Sequence, residues 1–527
     1  MGLFEITVAL LLLGAVLSAW ARRLQAPYPA LLAIAGAALA LIPGTPTLSL
    51  EPALVLTLFV APTLLDAAFD TSLRDLRIYW MPIAGSAVIA VLLTVAAVAV
   101  LARVLRPDMS WPVAIALGAI VSPPDASAAT AVLRALRPPH RIMVILEGES
   151  LLNDATALLI YRAAVLAAAG SWGGWGAFPA LLGAIVGSVI FGIILGALLP
   201  HLMRHINDLP TAVIVQFAAA FAVWIVADRL TLSPVITVVS FAIMLAQIAP
   251  ARSGATQRIP SYAVWDVAVF VLNVLAFILA GLQLRPILTG LHSIVGGRAF
   301  GFAAAVLGVV VVVRLLWVMG YNTVARWRNR RLVTHTRHRG TPPTVGTGVV
   351  GAWAGMRGIV TLATALALPP GFPYRDLILL SAYGVVLGTL VIQGLTLRPL
   401  IVALKLSDTG EVEAEIKLAR QRTAEAALEA LVELPGPIEV LREEHRVLLR
   451  QSVQGPGPED GLMLAARQHV LTVQRRVLIE LRARGVIGDD AFHVVEEELD
   501  SFEFYTERRI VRLMRVAGLR VAGESGK

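Results

Sequence analysis

Two carboxylate residues lie inside long apolar stretches of the chain, where an ionised side chain is costly. Asp125 directly follows Pro123-Pro124, and Asp154 belongs to the segment LEGESLLNDATA at 146–157. An ionisable group in a bilayer's hydrocarbon costs about 2.5–3.5 kcal/mol on insertion scales. Each of these carboxylates therefore needs a partner or a function.

Oxygen-bearing side chains surround these two carboxylates. At 100° per residue, Ser150, Asn153 and Asp154 share one face of a helix, and the Pro-Pro break before Asp125 releases main-chain carbonyls. Oxygen ligands without His or Cys suit a hard monovalent cation. We therefore predict that a cation and a proton bind at Asp154, Asp125, Ser150 and Asn153, with the cation held by Asp125, Ser150 and Asp154. Asp66 and Pro124 are possible accessory residues.

A buried carboxylate that is accessible alternately from each side of a membrane is sufficient for exchange. Burial favours the neutral form of the carboxyl group. A proton and an alkali cation then exclude each other, because either one supplies the positive charge that the buried carboxylate requires. No resident cofactor is predicted.

Other charged residues in the apolar stretches are assigned a structural role or none. Glu149 and Arg357 are expected to form a structural ion pair that holds a broken helix in place. Arg162 and Arg314 have no evident partner in the sequence and receive no predicted role.

The composition indicates an all-α polytopic membrane protein. Of 527 residues, 57% are hydrophobic and only 15% charged, against about 25% charged in soluble proteins. Mean hydropathy is +0.76. Apolar stretches near the ~20 residues that a bilayer requires predict thirteen spans, at about 3–20, 28–45, 51–69, 79–101, 111–132, 142–169, 178–200, 211–227, 233–249, 261–282, 299–321, 345–368 and 377–402.

Loop charges predict the orientation of these spans. With the amino end outside, sixteen loop arginines face inward and six face outward, which favours a cytoplasmic carboxyl end. Arginines in short loops indicate membrane orientation and not nucleic-acid binding. Residues 1–407 form the predicted transmembrane domain. Residues 408–527 form a soluble, helical and regulatory tail, where an unknown regulator could bind.

Two predicted spans are interrupted in comparable ways. Span five breaks at Ser122–Asp125 and span twelve breaks within the glycine-rich segment 346–358. The two lie seven spans apart and so cross the bilayer in opposite directions. Inverted-topology repeats with two broken helices that cross near the midplane leave this pattern, which is typical of transporters.

These segments resemble the monovalent cation/proton antiporter family, which includes the NhaP-type Na⁺/H⁺ antiporters of bacteria and archaea and the animal Na⁺/H⁺ exchangers. The resemblance rests on FVAPTLLDAAFDTSLRDLR at 59–77, SPPDASAATAVL at 122–133, LEGESLLNDATALLIYR at 146–162, LNVLAFILAGLQL at 272–284, GMRGIVTLATAL at 355–366 and IQGLTLRPLI at 392–401.

The resemblance implies a homodimer in which a core domain moves against a dimerisation domain. It implies that Asp154 and Asp125 hold the cation, with help from Ser150 and main-chain oxygen, and that Asn153-Asp154 marks the electroneutral type. Glu149 and Arg357 match the family's stabilising ion pair. At Asp66 relatives commonly have Glu, which can assist cation binding.

The function expected from these features is electroneutral exchange of one Na⁺ or Li⁺ for one H⁺ across the inner membrane, by alternating access. K⁺/H⁺ exchange is an alternative within the family, because one sequence does not determine the radius of a site. An intramembrane aspartyl protease using Asp125 and Asp154 is an alternative from another class, but its glycine-aspartate motif is missing. A channel or sensor would need a hydrophilic path along the spans.

Overall fold

A computed structural model describes residues 3–24, 26–43, 51–136, 138–170, 178–206, 208–252, 255–290, 296–331 and 344–406, with isolated residues of the tail. The chain divides into two units, 1–408 and 409–527. The helices predicted for the tail lie outside the described residues. Apart from those isolated residues, the account below concerns the first unit.

The described residues of the first unit form helices and connecting segments without a β-strand, as the predicted fold class requires. The helices are α1 (Leu3–Leu24), α2 (Tyr28–Leu41), α3 (Pro52–Val55), α4 (Ala61–Phe69), α5 (Leu73–Ile78), α6 (Trp80–Ala84), α7 (Val91–Leu105), α8 (Trp111–Val121), α9 (Ala126–Leu136), α10 (His140–Ala168), α11 (Phe178–Met203), α12 (Leu209–Arg229), α13 (Pro234–Arg252), α14 (Ala255–Leu282), α15 (Leu284–Gly290), α16 (Gly296–Arg331), α17 (Val345–Trp353), α18 (Ile359–Leu366), α19 (Arg375–Gly388) and α20 (Gly394–Ala403). π-Helical segments at Leu56–Val60, Gly85–Ala90 and Thr389–Gln393 join α3 to α4, α6 to α7 and α19 to α20.

Nine stretches within the described residues are long and apolar enough to cross a membrane. Three shorter apolar helices, Tyr28–Leu41, Leu56–Phe69 and Pro234–Ile248, and the half-helices α17 and α18 lie at the positions of the remaining predicted spans. The all-helical membrane fold is thus confirmed, and the count of thirteen crossings stays a prediction.

Both predicted helix interruptions are present. Helix α8 ends at Val121 and α9 begins at Ala126, because Pro123 and Pro124 have no N–H group to continue the hydrogen-bond ladder. Helix α17 ends at Trp353 and α18 begins at Ile359, with a turn at Ala354 and non-helical residues between them.

Small residues allow the helices around the first break to approach closely. A Cβ atom at Gly118 would lie 2.7 Å from the carbonyl oxygen of Val95, so α8 packs directly on the backbone of α7. Lipid tails are as apolar as Leu, so helices in a bilayer associate largely through close packing of this kind. The break in α8 is therefore held inside a tightly packed group of helices.

A polar cluster outside the spans holds the first residue of α10. The carboxylate of Asp75 on α5 accepts hydrogen bonds from Arg74 at 3.1 Å and lies 3.1 Å from Nε2 of His140. Ser72 caps α5 by accepting a hydrogen bond from the Asp75 amide at 3.2 Å. Burial raises the pKa of the Asp75 carboxyl, but hydrogen bonds from His140 and Arg74 outweigh it, so the pKa lies below the ordinary 3.8.

This cluster predicts a pH-dependent contribution to stability. A carboxyl whose pKa is lowered by folding stabilises the folded state above its unfolded pKa, and the contribution is lost as pH falls through the folded pKa. Asp75→Asn should therefore lower the melting temperature in detergent at neutral pH, and the difference from the wild type should shrink below pH 3.8. Asp70→Asn, at the exposed residue that follows α4, is the control. A difference that stays constant down to pH 3 would contradict this account.

Candidate functional site

The two broken helices meet at their unwound segments. The amide of Asp125, at the end of the first break, donates a hydrogen bond of 2.7 Å to the carbonyl of Met356 in the second break. The Arg357 amide donates to Oγ1 of Thr389 at 3.0 Å. Thr389 itself begins the π-helical segment between α19 and α20. Main-chain groups of both breaks are thus paired across the crossing.

Arg357 donates hydrogen bonds to the carbonyl oxygens that the first break leaves without helical partners. Its side chain, 1% exposed, donates to the carbonyl oxygens of Val121 at 3.3 Å and Ser122 at 3.4 Å. It also donates to the carbonyl of Gly355. A guanidinium has five N–H donors in a planar arrangement, so one side chain satisfies several carbonyls at once.

Asp125 lies at the amino ends of two half-helices. Its Oδ1 accepts hydrogen bonds from the amide of Ser127 at 2.8 Å and from the Ser127 hydroxyl at 2.6 Å, which caps α9. Its Oδ2 lies so close to Gly358, just before α18, that a Cβ atom there would collide with it. Helix amino ends stabilise anions through free amides and the helix dipole. Asp125 therefore has hydrogen-bond donors of its own in the crossing.

Helix α10 contributes the side chains that face the first break. Asn153 donates from Nδ2 to the carbonyl of Pro124 at 2.8 Å, and the Ser150 hydroxyl accepts from the Ala126 amide at 3.3 Å. Oδ1 of Asn153 is buried and has no hydrogen-bond partner among the described residues. The amide of Asn153 therefore fixes the unwound segment with its nitrogen and leaves its oxygen available.

Asp154 differs from every other carboxylate at the crossing. It is 7% exposed, and within the described part of the chain no group donates a hydrogen bond to it and no cation pairs with it. It does interact electrostatically with Asp125. A buried carboxylate in this position needs either a proton or a bound cation.

Glu149 forms an ion pair, but with a different arginine from the one predicted. Its carboxylate accepts hydrogen bonds from Arg314 of α16 at 2.6 and 3.2 Å, and the two side chains are 3% and 4% exposed. The predicted pairing with Arg357 is wrong, because the Arg357 guanidinium is engaged by main-chain carbonyls. Arg357 interacts with the Glu149–Arg314 pair only electrostatically.

The remaining candidate residues lie elsewhere. Asp66 is half-buried on α4, a helix that packs against α10, and its accessory role stays a prediction. Arg162 pairs with Asp228 of α12 at 2.8 Å through exposed side chains. Surface ion pairs of this kind contribute about 0–1 kcal/mol, so this contact explains the charge of Arg162 without a role at the site.

Sequence reasoning missed three residues of this arrangement. Arg314 was recognisable as an arginine within a span, but its partner depends on how α16 packs against α10. Ser127 stands two residues after Asp125, the spacing of a capped helix start. Gly358 lies within the segment GMRG. The carboxylate of Asp125 approaches it so closely that a side chain at this position would collide, and the sequence alone does not show this approach.

The sequence of the first unit matches a known protein family. A family model described as "Sodium/hydrogen exchanger, transmembrane" matches residues 8–403. The chain belongs to this family. It is therefore a multi-pass membrane transporter that exchanges monovalent cations for protons.

The sequences of several relatives match this exchanger over nearly its whole length. An uncharacterised Na⁺/H⁺ exchanger of Mycobacterium tuberculosis is 31% identical over 522 residues, with 94% of each chain covered. The uncharacterised Na⁺/H⁺ exchanger YjcE of Escherichia coli is 27% identical and covers 91% of this chain and 94% of its own. A sodium, potassium, lithium and rubidium/H⁺ antiporter of Bacillus pumilus is 26% identical, with 94% and 77% covered.

A solved structure shares the fold. The sodium proton antiporter MjNhaP1 of Methanocaldococcus jannaschii at pH 8 superposes with a TM-score of 0.58 at 17% identity, covering 74% of this chain and 98% of that one. This likeness confirms the fold class of the exchanger.

The Glu149–Arg314 contact predicts energetic coupling. Removing one partner of a buried pair typically costs about 3–5 kcal/mol, because the other charge is left uncompensated. Glu149→Ala and Arg314→Ala should each lower the melting temperature in detergent markedly, and the double variant should lose less than the two single losses added together. Thermal unfolding of the four proteins measures this.

A second double-mutant cycle with Glu149 and Arg357 is the matched control. We expect weaker coupling there, because these side chains do not contact each other. Additive losses for Glu149 and Arg314 would contradict the pairing.

Proposed function

We propose that the exchanger transports one Na⁺ or Li⁺ against one H⁺ by alternating access, and that Asp154 is the group that exchanges them. The observation that carries this proposal is the environment of Asp154. This buried carboxylate receives no hydrogen bond from any described residue, whereas Asp125 has its own donors. All other charged groups at the crossing already have partners in the described structure.

A charge count at the crossing supports a stoichiometry of one for one. The five ionisable side chains there are Asp125, Glu149, Asp154, Arg314 and Arg357. Three carboxylates and two guanidinium groups leave one negative charge when all are ionised. One proton or one monovalent cation neutralises it. Carrying neither would leave an uncompensated charge in a dry interior, which is strongly disfavoured.

The ligands that a cation requires are available on the same helix face. We propose that Na⁺ is held by the carboxylates of Asp154 and Asp125 and the hydroxyl of Ser150, with the free Oδ1 of Asn153 next to them. Oxygen ligands of this kind suit hard cations. Pro124 contributes indirectly, since its carbonyl is bonded to Asn153. Protonation of Asp154 removes the charge that attracts the cation, so the two substrates compete.

The rest of the proposal concerns assembly, membrane orientation, the carboxyl-terminal tail and the identity of the cation. We propose a homodimer in the inner membrane with a cytoplasmic carboxyl end, and a regulatory role for residues 408–527. The Bacillus pumilus relative is named for sodium, potassium, lithium and rubidium, which favours K⁺/H⁺ exchange as the second candidate. The charge count applies equally to K⁺, so the difference between the two functions lies only in the dimensions of the site.

Substituting Asp154 tests the proposal. Asp154→Asn preserves the shape of the side chain and removes its charge, so it should fold normally and abolish cation-driven proton flux in proteoliposomes. Separate assays with Na⁺, Li⁺ and K⁺ on the wild type distinguish the two candidate functions.

Asp266→Asn is the matched control, because Asp266 is an exposed aspartate within α14. It should retain the wild-type rate. Near-normal Na⁺-driven proton flux from correctly assembled Asp154→Asn protein would overturn the assignment.

A further inference from the structure

The hydroxyl of Thr361, in the first turn of α18, has no hydrogen-bond partner among the described residues. The residue is buried, with 1% of its surface exposed. A helical threonine commonly donates to the carbonyl four residues earlier, and Thr364 does so to Val360 at 2.7 Å. Burying a hydroxyl without a partner is costly, so Thr361 needs a partner that its own helix does not supply. Thr361 is not among the cation ligands proposed for this exchanger.

Asp154 lies on α10 between two apolar clusters. The α4 cluster contains buried residues of α4, α12 and α13, and it includes Leu151 and Ala155 of α10. The α8 cluster contains buried residues of α7, α8 and α19, and it includes Ala157 and Tyr161 of α10. At 100° per residue, the first two residues lie on one side of Asp154 and the second two on the other. The carboxylate therefore lies on the face of α10 where the two clusters meet.

Thr361 lies between the same two clusters on α18. Val360 packs against the α4 cluster, and Ala365 belongs to the α8 cluster. At 100° per residue, Thr361 lies between these two residues on the surface of α18. Gly358, three residues before Thr361, shares its face and is the position that the carboxylate of Asp125 approaches. The free hydroxyl thus belongs to the side of α18 that meets the candidate site.

We propose that the hydroxyl oxygen of Thr361 is a further ligand of the transported cation, contributed by the half-helix α18. This inference rests on the proposed exchange at Asp154. A hydroxyl oxygen suits a hard monovalent cation. Because the hydroxyl is neutral, it adds a ligand without altering the charge count of one cation for one proton. The cation is then held by α10, by the first break through Asp125, and by the half-helix that follows the second break.

Replacing the hydroxyl by a methyl group tests this proposal. Thr361→Val should raise the KM for Na⁺ in proteoliposomes about tenfold, as expected when one interaction with a charged group is lost. The maximal rate at saturating Na⁺ should stay within about twofold of the wild type, because the loss affects cation binding. Thr361→Ser keeps the oxygen and should retain the wild-type KM.

Thr364→Val is the matched control, because it makes the same substitution in the same helix at a hydroxyl that is already bonded within α18. Its KM for Na⁺ should equal that of the wild type. An unchanged KM in Thr361→Val, or an equal increase in Thr364→Val, would overturn the proposal. If Thr361→Val does not assemble, Thr361→Ala replaces it with the same expected increase in KM.

Thermal stability measures cation binding without transport. Na⁺ should raise the melting temperature of the wild type in detergent, because a ligand that binds the folded state stabilises it. At a fixed Na⁺ concentration this increase should be smaller in Thr361→Val, complete in Thr364→Val and absent in Asp154→Asn. Without Na⁺, Thr361→Val should melt no lower than the wild type, since its hydroxyl has no partner among the described residues.

These variants separate failure of this inference from failure of the proposed function. A full Na⁺-dependent increase in Thr361→Val, with none in Asp154→Asn, would overturn the role of Thr361 and leave the role of Asp154 intact. A full increase in Asp154→Asn would contradict the proposed function itself. A lower melting temperature of Thr361→Val without Na⁺, together with an unchanged KM, would identify the hydroxyl as a structural group and also overturn the inference.

Discussion

Interrupting a helix inside a bilayer exposes main-chain groups that have no water to bind, and the rest of the site depends on how this exchanger satisfies them. Arg357 donates to the carbonyls of Val121 and Ser122, while Asn153 donates to that of Pro124. The amide of Asp125 is bonded to the other break. Each broken helix therefore supplies hydrogen-bond partners to the other, and Asn153 of α10 supplies a further one.

This arrangement separates the charged groups that have partners from the carboxylate that we propose as the exchanging group. Glu149 and Arg314 neutralise each other, Arg357 is held by carbonyls, and Asp125 lies at two helix amino ends. Among the residues that the structure describes, Asp154 has no such partner. The proposed exchange follows from this contrast, because the site can bind a proton or a cation at Asp154 without breaking the hydrogen bonds that hold the crossing together.

The sequence was sufficient to predict the fold class, both breaks and the residues that meet there. These predictions rest on local rules. Proline ends a helix, and residues three and four apart share a helix face. An ionisable residue within a span has either a partner or a function. In the structure, Ser150 is hydrogen-bonded to Ala126 and Asn153 to Pro124, the two chain neighbours of Asp125. The partner of Glu149 was not predictable in this way, because it depends on which of two arginines from separate helices lies opposite. The spacing of residues within one helix carries no information on that choice.

The central claim is that a single carboxylate changes its proton occupancy, and the voltage dependence of the transport equilibrium tests it most directly. Proteoliposomes are clamped at set membrane potentials with valinomycin and K⁺, after K⁺ has been shown not to be a substrate. The Na⁺ gradient that just balances a fixed pH gradient is then measured at each potential. One-for-one exchange moves no net charge, so the balance point should stay where the Na⁺ and H⁺ concentration ratios are equal. A balance point that moves with voltage would show that a second group, most directly Asp125, also exchanges its proton, and would contradict the account.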